Sequence, residues 1–142
     1  MTTADTVTRA LPHLMPECEN ARLMLFVIRR MGAHGLADAH AAHAMFAAFG
    51  EEFRRPLMLA RALMADVAGH ATGPIAIAPC CCARTTASEG ALLAVLARCE
   101  TRVDNARLLL ADLLGTRHAD GVLASAAALA GAFADAGRPI GG

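Results

Sequence analysis

The sequence predicts an all-α fold, a compact single-domain bundle of five to six helices with one irregular Gly/Pro/Cys loop in the middle. Three observations carry this reading. Apolar residues recur with helical period over almost the whole chain. Alanine, the best helix former, makes up about a quarter of the residues. The length, 142 residues, suits one domain and buries roughly two-thirds of the unfolded surface around one core.

The first helix is expected from about Glu17 to Met31, because Leu23-Met24-Leu25-Phe26-Val27-Ile28 is apolar all round and suits a central position. Gly32 and Gly35 should end it. A second helix, about Asp38 to Phe49, would turn Ala42, Met45, Phe46 and Phe49 inward and stop at Gly50. Pro56 suits the first position of a third, running to Ala68 with Leu57, Ala60, Met64 and Val67 inside. From Gly69 to Thr86 glycines and prolines interrupt the period. The alternation of Ile75 and Ile77 with alanines reads as a short extended segment, a lone strand leading into Cys80-Cys81-Cys82. Thr86-Ala87-Ser88-Glu89 is a capping box that opens a fourth helix lined by Leu92, Leu96 and Cys99. A fifth, about Thr101 to Leu114, would bury Val103, Ala106, Leu110, Leu113 and Leu114. The sixth, about Gly121 to Ala136, would bury Val122, Ala126, Leu129, Ala130 and Phe133. Ala127 and Gly131, four apart, permit close approach of another helix, from the same chain or across a homodimer seam. Residues 1–15 and 138–142 are expected to be less ordered.

Several function classes are disfavoured by counts. Thirteen basic residues balance thirteen acidic ones, so no net field attracts a polyanion, and no nucleic-acid partner is expected. All thirteen basic residues are Arg, which excludes lysine Schiff-base and P-loop chemistry. The longest stretch free of Asp, Glu and Arg, Val67 to Ala83, is broken by Gly and Pro and falls short of the ~18 continuous apolar residues of a spanning helix, so no membrane partner is expected. Met1 to Ala10 has no apolar segment of the kind a secretory signal needs. Five cysteines, three of them consecutive, do not fit a disulfide scaffold and suit a reducing cytoplasm.

The cysteine run is the segment richest in potential chemistry. A following helix N-terminus and the charge of Arg84 would both favour thiolates. In an extended backbone Cys80 and Cys82 point one way and Cys81 the other, which makes Cys80/Cys82 the natural chelate. His40 and His43, three apart on the second helix, could share a metal, with His34 just ahead and Asp38 available to orient a ring. Cys80, Cys82, His40 and His43 would together satisfy zinc or another thiolate-binding transition metal. The competing reading makes these cysteines small apolar fillers, as expected for Cys18 and Cys99, and the histidines surface features. Arg29-Arg30 and Arg54-Arg55 read as solvated helix ends rather than an anion patch.

The stretches Ala21-Arg22-Leu23-Met24-Leu25-Phe26-Val27-Ile28-Arg29-Arg30-Met31, Ala33-His34-Gly35-Leu36-Ala37-Asp38-Ala39-His40-Ala41-Ala42, Ala78-Pro79-Cys80-Cys81-Cys82-Ala83-Arg84 and Phe133-Ala134-Asp135-x-Gly137-Arg138-Pro139 resemble an uncharacterised family of small bacterial proteins, a domain of unknown function. The resemblance spans roughly Leu11 to Pro139. It implies a compact helical domain and no activity.

Three functions follow as expectations. The first is a metal- or redox-responsive small cytosolic binding protein that uses the cysteine loop. The second is a structural or interaction module, a homodimer without chemistry of its own, and the third is a thiol-dependent enzyme with a His as base. The small-molecule ligand, if any, is unspecified.

Overall fold

The computed structural model describes residues 13–141; the expectations for residues 1–12 and for residue 142 lie outside the described residues. The fold is all-α with one minimal sheet. In chain order come β1 (His13–Leu14), α1 (Glu19–His34), α2 (Ala39–Phe49), a 3-10 turn (Gly50–Phe53), α3 (Arg54–His70), β2 (Arg84–Thr85), α4 (Ala87–Arg98), α5 (Val103–Leu114) and α6 (Asp120–Asp135). α3 packs chiefly against α6, and α4 against α5, while α1 touches α2, α3 and α4.

α1 is central, as its apolar run predicts. Met24, Leu25, Val27 and Ile28 are fully buried. It runs through Gly32 to His34 instead of ending at Met31, and Gly35 (φ 101°) terminates it. Ile77 packs beside Gly32: a Cβ at Gly32 would lie 3.4 Å from Ile77 Cγ2, ordinary van der Waals contact.

In α2 the inward residues are Ala41 and Met45, and Phe46 is 50% exposed, against the expected face. Six of its eleven residues are alanine or histidine before Met45, so the apolar stripe carries little directional signal. α3 starts two residues before Pro56, the 3-10 turn having already set the helical direction, and its expected inner face, Leu57, Ala60, Met64 and Val67, is buried. In α5 Ala106, Leu110 and Leu114 are buried, but Val103, in the first turn, is 40% exposed. The expected inner face of α6 is buried in full.

The expected strand at Ile75–Ala78 does not form. The sheet pairs instead His13 with Thr85 and Leu14 with Arg84, antiparallel. Residues 71–83 form a strap whose Ile75 and Ile77 lie half-buried on the core. Residues 138–141, expected to be less ordered, are docked: Arg138 donates to Ala48 O (3.0 Å) and Asn20 Oδ1 (3.1 Å), and Ile140 is buried.

Candidate functional site

The strap is held at several points before it presents its cysteines. Thr72 donates twice to Leu114 O, from its amide (2.9 Å) and its hydroxyl (3.0 Å). Thr86 Oγ1 donates to Ala76 O (2.7 Å). The capping box forms as the sequence predicts: Thr86 Oγ1 accepts from Glu89 N (3.0 Å) and Glu89 Oε1 from Thr86 N (2.9 Å).

Glu89 does more than cap. Its carboxylate also accepts the amide of Ala78 (3.2 Å) and the guanidinium of Arg29, at 2.8 and 3.2 Å. Arg29 also donates to the strap and to β2, from Nη1 to Cys82 O (2.8 Å) and from Nη2 to Arg84 O (2.7 Å). Both side chains are dry, at 1% and 0% exposure. An unpaired charge there would be costly, so each ion requires the other and the backbone groups around it. The hydrogen bond that Arg29 donates to Glu89 raises its pKa further above the ordinary value. Arg29 is therefore not a solvated helix end; it is a buried plug under the cysteine loop.

The cysteine run is a turn, not an extended segment. Cys82 N donates to Pro79 O (3.0 Å), which places Cys80 and Cys81 at the two central positions of the bend. Both are exposed and Cys82 is half-buried. The premise that pairs Cys80 with Cys82 across an extended backbone is thereby removed. The helix N-terminus is also several residues further on and already occupied by the capping box. Arg29 and Arg30 are within electrostatic reach of Cys80, but each is already paired with its own carboxylate, Glu89 and Asp38. Arg84 contributes its backbone, pairing with Leu14 and accepting from Arg29.

His34 ends α1, His40 and His43 lie on α2, and all three are exposed. Asp38 does not serve as a ring-orienting partner. It caps α2 by accepting from Ala41 N (2.9 Å), and its two oxygens accept Arg30 at 3.0 and 2.9 Å. That pairing holds its carboxyl well below the usual carboxylate range. Among the described residues no three His, Cys, Asp or Glu side chains gather as a metal-holding group, so His40, His43, Cys80 and Cys82 are not assembled as one centre.

The other two cysteines differ from each other. Cys99 is buried, and burial pushes its thiol up. Cys18 is half-buried at the N-cap of α1, where it also accepts the amide of Gly141 (3.3 Å). Burial would raise its pKa, but the amides of Gly141, Ala21 and Asn20 bring it below the ordinary thiol value. The expectation of a filler holds in part for Cys18, which packs against the core; the helix starts at Glu19 instead of at about Glu17, and that shift makes Cys18 its N-cap.

Residues 1–133 match the model of a family of unknown function, DUF6628. The chain belongs to the DUF6628 family. Curated proteins and solved structures give no match to it. No helix among the described residues of this DUF6628 chain is long and apolar enough to cross a membrane.

Proposed function

We propose that this DUF6628 protein is a small metal- or redox-responsive binding protein of the cytoplasm whose responsive element is the Cys80-Cys81-Cys82 turn. One observation carries the reading: two adjacent cysteines are exposed at the apex of a turn whose base is fixed to the buried Arg29–Glu89 pair. Exposure gives the sulfurs access to ions and oxidants. The buried pair joins α1, the strap and α4, so chemistry at the apex acts on a support that connects two core helices. A reducing compartment keeps such thiols free.

Thiol titration of the native protein with an aromatic disulfide tests this. Cys80 and Cys81 react rapidly, and Cys99 reacts only after unfolding. Modification of the apex changes hydrogen-exchange protection at Ala78 N and Thr86 N. Slow reaction of Cys80 and Cys81 in the native state overturns the reading.

A second reading, an interaction module that pairs as a homodimer, draws on two exposed apolar side chains, Phe46 on α2 and Met58 on α3 (50% and 59% exposed). Its test is sedimentation equilibrium: a mass near twice 14.7 kDa, reduced to the single-chain value by Phe46→Glu with Met58→Glu, supports it.

A further inference from the structure

We infer that Cys80 and Cys81 form a two-sulfur site for a soft, low-coordinate monovalent cation of the Cu(I) type, and that His40 and His43 take no part in it. The inference rests on the thiol-responsive reading above and specifies its ligand. The Pro79–Cys82 hydrogen bond makes Cys80 and Cys81 the corner residues of a reversing chain, with Cα atoms ~3.8 Å apart across a trans peptide and both side chains exposed. Neighbouring residues of an extended segment would point to opposite sides, whereas these two share the corner of one turn and are both exposed.

Donor count selects the ion. Zinc in a structural site takes four N or S ligands in a tetrahedron, and among the described residues not even three donors gather. Residues 1–12 contribute no Cys and no His in sequence. Two thiolates without further ligands suit a soft d10 cation that is content with two sulfurs. The binding step is two thiols plus Cu(I) giving a dithiolate complex and two released protons. Sulfur supplies both electron pairs, and no oxidant is consumed. The complex carries one net negative charge.

The test uses the full chain, reduced and anaerobic, with Cu(I) delivered from a bicinchoninate complex and Zn(II) in a parallel titration. The expected result is one Cu(I) per chain, no change of oligomeric state, proton release on binding, and an X-ray absorption signature of sulfur alone. Cys80→Ser and Cys81→Ser each weaken binding more than about 100-fold, since loss of even an outer partner commonly costs 10- to 100-fold. Cys82→Ser and His40→Ala with His43→Ala leave it unchanged. Circular dichroism of each variant verifies that it folds. Retained binding in Cys80→Ser or Cys81→Ser, weakening in the histidine variant, a copper ion bridging two chains, or tighter zinc than copper overturns the inference. So does an absence of copper binding by thiols that react rapidly, which leaves the broader thiol reading standing. Thiols that react slowly in the native state overturn both.

Discussion

Arg29 Nε donates to Glu89 Oε2 at 2.8 Å across sixty residues of sequence, and neither side chain reaches solvent. The pair differs from an isolated buried ion pair because four backbone groups complete it: the carbonyls of Cys82 and Arg84 and the amides of Ala78 and Thr86. Glu89→Gln or Arg29→Met leaves one buried charge uncompensated and is expected to cost about 3–5 kcal/mol in urea unfolding. An isolated buried pair can often be replaced by two apolar side chains at little cost. Here Arg29→Met with Glu89→Leu does not recover wild-type stability, because the four backbone groups lose their partners at about 1 kcal/mol or more each. A double variant as stable as wild type would refute this.

Asp38 makes a pH-dependent contribution. Its folded pKa is depressed, with the Arg30 hydrogen bond as the largest cause, so the native state holds fewer protons than the unfolded one. The stability it supplies is fully present above the unfolded carboxyl pKa of about 3.9 and is lost as pH falls below that value toward the folded one. Asp38→Asn is therefore expected to destabilise at pH 7 and to converge on wild type toward pH 2. Chemical unfolding across that range reads the difference, and a gap that widens in acid would contradict it.

Thr86 serves two partners with one hydroxyl, accepting from Glu89 N and donating to Ala76 O. Thr86→Ala removes the cap, typically about 1 kcal/mol, and leaves the Ala76 carbonyl without its donor. A loss of about 2 kcal/mol is expected, with Thr86→Ser restoring most of it.

Cys18 titrates below an ordinary thiol because amides surround its sulfur. Its alkylation rate is expected to reach half its plateau at a lower pH than that of a free cysteine. Gly141→Pro removes the amide that faces Sγ at 3.3 Å and should move that midpoint upward. An unmoved midpoint would assign the depression to the helix start alone.

What was legible in the sequence was mainly local. The Thr86–Glu89 capping box depends on a three-residue spacing and formed as expected, as did the inner faces of α3 and α6. Distant partners were not. Glu89 was visible as a cap and invisible as a counter-ion, because Arg29 lies sixty positions away. A signal existed: helical spacing puts Arg29 one turn from buried Leu25 and beside buried Ile28, where an arginine needs an anion. The cysteine run misled for a related reason. Alternating Ile75 and Ile77 suggested extended backbone, but the outcome was set by the Pro79–Cys82 hydrogen bond and by Arg29 drawing the carbonyls of Cys82 and Arg84 downward. The stripe on α2 failed because alanines surround it and leave Phe46 free to face outward.

The Arg29–Glu89 pair also constrains how this chain can diverge. A lineage that changes either codon alone passes through a protein with a stranded ion beneath the strap, and purifying selection removes it. Across DUF6628 members the two positions should therefore change together or not at all, and with them any freedom to reshape the loop they support.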